Sequence, residues 1–153
     1  MAHLKEGSKA PAFALQDQDG KTVKLADFKG RKLLVYFYPK ADTPGCTTQS
    51  CSVRDSKKEL AKLGVAVVGI SPDKPSKQLA FDQKYGLGFP LLSDADHAVA
   101  EKYGVWGEKV NYGRTYMGII RSSFLIGENG KIARAWYKVS PKDTVPNARA
   151  ALD

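Results

Sequence analysis

Apolar runs of strand length alternate along this chain with amphipathic stretches of helical period. The segment AFALQDQDGKTVKL (12–25) alternates apolar and polar positions on both sides of Asp19-Gly20, which predicts two short strands joined by a tight turn. KLLVYFYP (32–39) and GVAVVGIS (64–71) are near-continuous apolar runs, the pattern of strands buried on both faces. Between them a helix is expected from Pro44 to a stop at Gly64, with Val53, Leu60 and Leu63 supplying its apolar contacts. SKQLAFDQKYG (76–86) predicts a second helix, capped by Ser76 and stopped by Gly86. FPLLS (89–93) follows as a short strand, and DADHAVAEKYG (94–104) as a third helix ending at Gly104. GIIRSSFLIGENGKIARAWYKV (118–139) reads as a hairpin about Asn129-Gly130, and VPNARAALD (145–153) as a last helix. The longest irregular piece, GEKVNYGRTYMG (107–118), reads as a surface loop, and a loop of that length is a candidate binding element.

Strands that alternate with helices and close on a hairpin predict an α/β protein with a mixed central sheet and helices on both faces. The 153 residues suit one domain, 1–153, with a core of its own. No apolar run approaches the roughly 18–20 residues of a membrane helix, so no membrane contact is expected. The first residues, MAHLKEGSKAPAF, lack an apolar signal region, which points to a cytoplasmic protein. The net charge of +8 raises nucleic acid as a partner. The 24 basic residues are scattered, however, with short pairs such as Arg31-Lys32 and no long run. A solvated basic surface with no nucleic-acid partner is therefore expected.

The chemistry concentrates in PKADTPGCTTQSC (39–51), which holds both cysteines of the chain. Thr43 is a good N-cap, and Pro44 suits the first helical position because its missing N–H costs nothing there. Cys46 then falls in the first helical turn, among free backbone N–H groups at the positive end of the dipole. That setting favours the thiolate, the nucleophilic form of cysteine. Gly45 leaves room for a small substrate to approach the backbone. A zinc site is not expected, because His3 and His97 are isolated and distant from the cysteines. A thioredoxin-type disulfide reductase would carry C-x-x-C, whereas the spacing here is C-x4-C.

PKADTPGC resembles the peroxiredoxin signature Pro-x-x-x-Thr-x-x-Cys, carried by Pro39, Thr43 and Cys46. Cys51, five positions on, is similar to the second cysteine of the bacterioferritin-comigratory-protein subgroup, also called the Q type. IIRSSFLI resembles the strand that bears the family arginine, here Arg121. The resemblance runs over nearly the whole chain. Ser123 departs from it, standing where a threonine is expected. The resemblance implies a thioredoxin-like fold with an N-terminal β-hairpin. It also implies an enzyme that uses no metal or other cofactor, reduces hydrogen peroxide and organic hydroperoxides, and takes electrons from thioredoxin. The subgroup it resembles has mostly monomers with some dimers, so a monomer is expected.

On that reading Cys46 attacks peroxide and becomes a sulfenic acid. The Thr43 hydroxyl, the Cys46 backbone N–H and Arg121 are the candidate donors to the leaving oxygen. Arg121 interrupts an apolar strand, where a charge needs a reason. Pro39 either shields the sulfur from water or simply ends its strand. Gln49, one turn after Cys46, either orients Arg121 or faces solvent. Trp106 and the tyrosines of the 107–118 loop either flank the pocket or pack locally. Cys51 resolves the sulfenic acid as a Cys46–Cys51 disulfide. On one regular helix these two residues have Cα atoms roughly 8.6 Å apart, on largely opposite faces. A disulfide tolerates at most about 7 Å, so the helix must open for the bond to form. A thiol sensor without fast turnover would use the same two cysteines.

Overall fold

A computed structural model describes residues 3–152 of the chain. The N-terminal hairpin forms where the alternation places it, as β1 (Ala14–Gln16) and β2 (Thr22–Lys24). The two apolar runs become β3 (Lys32–Phe37) and β4 (Val65–Ser71), parallel and in register from Lys32↔Val65 to Phe37↔Ile70. β5 (Leu91–Ser93), β8 (Ser122–Ile126) and β9 (Ile132–Trp136) complete a seven-stranded sheet in the order β2-β1-β5-β4-β3-β8-β9. Parallel and antiparallel pairs mix in it, because the βα connections give way to hairpins at both ends of the chain.

Apolar clusters form on the two faces of the sheet. On one lie Val53 and Leu60 of α1 (Pro44–Lys62), Phe81 of α2 (Pro75–Tyr85) and Val145 and Ala148 of α4 (Thr144–Leu152). On the other lie Val99 and Ala100 of the short α3 (Ala98–Lys102), with Phe13 and Tyr103. Among the described residues, no helix is long and apolar enough to cross a membrane.

Four local expectations change. Residues 107–118 are not a loop: Trp106–Asn111 (β6) pairs with Arg114–Ile119 (β7) as a separate two-stranded arm. Its two-residue turn is Tyr112-Gly113, both at positive φ (52° and 75°), so a tyrosine occupies the left-handed position that Asn or Asp usually signals. Leu63 does not pack under α1; it lies just past the last helical residue and is 47% exposed. Ser76 does not cap α2, which starts one residue earlier because Pro75 takes the first helical position with Lys74 as N-cap. α3 begins only at Ala98, where the Asp94 carboxylate accepts the N–H groups of Val99 and Ala100.

Candidate active site

The site is built where β3 ends. β3 leads through Pro39 and a short loop into α1, and its antiparallel partner β8 begins beside that same end, with Phe37 facing Ser122. This pairing brings Arg121, the residue just before β8, against the first turn of α1. Arg121 Nη2 donates to Cys46 Sγ at 3.4 Å, and Nη1 donates to Gln49 Oε1 at 2.6 Å. The Gln49 amide donates in turn to Thr144 Oγ1 at 2.9 Å, which ties the group to the start of α4. Cys46, Gln49 and Thr144 have no exposed surface, while Arg121 is half-buried.

Gly45 serves this packing directly. A Cβ there would stand 3.0 Å from Arg121 Nη2 and 3.3 Å from Pro141 Cγ. The glycine thus makes room for the arginine, whereas the sequence suggested room for a substrate.

Thr43 is the N-cap residue by position but makes no side-chain cap; its hydroxyl donates to the Lys40 carbonyl at 2.8 Å. The first backbone bond into the helix runs from Thr47 N–H to the Thr43 carbonyl, so the Gly45 and Cys46 N–H groups lie ahead of the ladder. Pro39 is half-buried at the strand end. Cys51 lies on the same unbroken helix as Cys46, half-buried, and both thiols are free.

The loop before α1 is strapped to its surroundings. Asp73 accepts the Ala41 N–H at 2.7 Å, and Asp42, at φ 59°, accepts Lys84 Nζ at 2.9 Å and the Tyr85 hydroxyl at 2.8 Å. These hydrogen bonds, Lys84 first, hold the Asp42 carboxyl below the usual carboxylate range. A second cation approaches from the arm: Lys109 donates to the Ile119 carbonyl at 2.9 Å, and burial, with the Arg121 charge, lowers its pKa. Trp106 sits at the base of the arm, stacked on His97 with ring centroids 3.8 Å apart. Among the described residues no cluster of three or more His, Cys, Asp or Glu could hold a metal ion.

The sequence pattern marked Cys46, Arg121 and their neighbours but left Gln49 ambiguous and missed Thr144. The buried stripe of α1 carries Gln49, Ser50 and Ser56 beside Val53 and Leu60, so the apolar positions marked the inward face but not which polar side chains it buries. Such a group of a first-turn thiol, an N–H rich helix start and a fixed guanidinium can stabilise a thiolate and meet charge on an oxygen beside it.

Residues 7–135 match the family model described as the AhpC/TSA family. The chain belongs to the AhpC/TSA family. It is 58% identical over 143 residues to a putative peroxiredoxin bcp of Haemophilus influenzae, covering 94% of this chain and 92% of the relative. It is 59% identical over 132 residues to peroxiredoxin Bcp of Escherichia coli K12, covering 86% and 85%. A solved structure of the Xanthomonas campestris bacterioferritin comigratory protein superposes with a TM-score of 0.89 at 34% identity, covering 97% of each chain. The fold is accordingly the thioredoxin-like fold of peroxiredoxins, and the chain is a peroxidase-type oxidoreductase of the Bcp/PrxQ group.

Proposed function

We propose that this peroxiredoxin reduces hydrogen peroxide and organic hydroperoxides through Cys46, with Cys51 as resolving residue and thioredoxin as electron donor. The observation that carries the proposal is the Arg121 guanidinium on the Cys46 sulfur, oriented by Gln49. The Cys46 thiolate attacks one peroxide oxygen, the O–O bond breaks, and the departing oxygen takes a proton as water or an alcohol. Arg121 and the Cys46 N–H are placed to meet the charge on that oxygen. Thr43 can join them once its hydroxyl releases the Lys40 carbonyl, and Pro39 limits water at the strand end. Cys46 is fully buried here, so substrate entry requires a small outward movement of the groups around it. The Xanthomonas relative is described as reducing alkyl peroxides, which supports the organic part of the substrate range.

Cys46, Cys51 and Arg121 come from one chain, which suits a monomer working as a complete unit, and two free thiols suit the reducing cytoplasm. The test is peroxide-dependent NADPH consumption coupled through thioredoxin and its reductase. Sustained turnover that vanishes without thioredoxin is expected. Sulfenic acid formation without turnover would point instead to a thiol sensor.

Both cysteines lie on α1, so the helical separation of roughly 8.6 Å applies to the reduced protein. Disulfide formation therefore opens at least residues 45–51 while the sheet stays intact. In hydrogen exchange, amides of this segment are expected to lose protection in the disulfide form and regain it on reduction, with Val35 and Val67 protected throughout. Equal protection of the segment in both forms rules out the opening.

A further inference from the structure

The helical segment that must open is tied to the sheet by a buried bond whose two ends take no part in the peroxide chemistry above. The hydroxyls of Tyr36 and Ser50 lie 2.8 Å apart, and neither residue has exposed surface. Tyr36 stands in β3, paired with Gly69 on one side and Ser123 on the other. Its phenol passes over Gly69, where a Cβ would meet the ring carbon and the hydroxyl at 2.8 Å. Glycine at 69 is what lets a tyrosine extend this far from the strand toward α1. Ser50 is four residues after Cys46, on the same face of the helix, and immediately precedes Cys51. Burial pushes the Tyr36 phenol far up, with the two cysteines adding to the effect, so it stays a neutral hydroxyl.

We infer that the Tyr36–Ser50 hydrogen bond is a latch that sets how long the Cys46 sulfenic acid waits before Cys51 reaches it. The inference rests on the Cys46–Cys51 reading above. In the closed helix the two hydroxyls satisfy each other. Opening residues 45–51 carries Ser50 into water and leaves the Tyr36 hydroxyl without its partner, so the bond adds to the cost of opening. Resolution then proceeds as the Cys51 thiolate attacks the sulfenic sulfur: an S–S bond forms, the S–O bond breaks, and hydroxide leaves to become water. While the latch holds, a second peroxide can oxidise the waiting sulfenic acid to sulfinic acid and leave as water or alcohol. Tyr36 is thus a positioning residue that divides the intermediate between recycling and inactivation.

Tyr36→Phe tests this best, because it lies on the strand and leaves the helix propensity of residues 45–51 unchanged. It leaves Ser50 unpaired in the closed helix and satisfied in the open one, which reverses the sign of the latch. Rapid quench with mass spectrometry in single turnovers separates sulfenic acid formation from disulfide formation. Tyr36→Phe is expected to speed the disulfide step by about five- to tenfold with sulfenic acid formation changed less than about twofold. The peroxide concentration that inactivates half the enzyme is expected to rise in the same proportion. Ser50→Ala shifts both readouts the same way. The double variant gains less than the product of the two, because removing both polar partners leaves neither unpaired. An unchanged disulfide rate in Tyr36→Phe overturns the latch, as does an equal acceleration of both steps. Failure of the unsubstituted protein to form a Cys46–Cys51 disulfide overturns the parent reading instead.

Discussion

Cys46→Ser is expected to abolish peroxide reduction, and Cys51→Ser to keep a single reaction and lose the cycle. A serine hydroxyl at position 46 remains protonated at neutral pH and has no sulfur to accept the oxygen, so no intermediate forms. The Cys51→Ser protein retains the fixed Arg121 guanidinium and the first-turn thiol, and forming the sulfenic acid needs nothing more. It is expected to consume about one equivalent of peroxide per chain, accumulate sulfenic acid, and then stall with thioredoxin. Trapping with a sulfenic-acid reagent and the coupled NADPH assay read the two stages separately. Turnover of Cys51→Ser at the unsubstituted rate would remove Cys51 from the resolving role.

Arg121→Ala is expected to lower the rate constant for peroxide by about 100- to 1,000-fold, the range for losing one preorganised donor to a developing oxyanion. It also strips Gln49 of its arginine partner inside a buried site, which costs about 1–3 kcal/mol of stability. Arg121→Lys keeps the charge but not the fork that reaches Cys46 and Gln49 at once, so its loss of rate falls between that of the alanine variant and no loss. Stopped-flow kinetics with thermal melts on the same samples distinguish the two effects. An alanine variant that reacts at the unsubstituted rate would exclude Arg121 from the site.

Much of this site was legible because it is written in local rules. A helix start announced by Thr43 and Pro44 places Cys46 in a first turn whatever else the chain does, and a charge inside IIRSSFLI marks Arg121 as exceptional. Gln49 could not be decided in the same way. It shares the buried stripe of α1 with Ser50 and Ser56, polar residues whose burial depends on partners far along the chain. Tyr36 hid for the opposite reason: within LLVYFY it counts as another core aromatic, and its hydroxyl matters only because Gly69 and Ser50 lie opposite it. The arm at 106–119 was missed because its turn uses a tyrosine in a left-handed conformation.

By itself the sequence determined the order of the central-sheet strands and their helices, the position of Cys46 in a first helical turn, and the five-residue step between Cys46 and Cys51 on one helix. Those follow from backbone geometry and periodicity over a few residues, which need no distant partner. Only the tertiary structure decided which donor stands on the sulfur, which partners the polar residues on the buried face of α1 meet and what holds that face to the sheet. Each of those depends on strand register. β8 must run antiparallel to β3, with Phe37 opposite Ser122, before Arg121 can cross 75 residues of sequence to reach Cys46. β4 must set Gly69 beside Tyr36 before the phenol can reach Ser50.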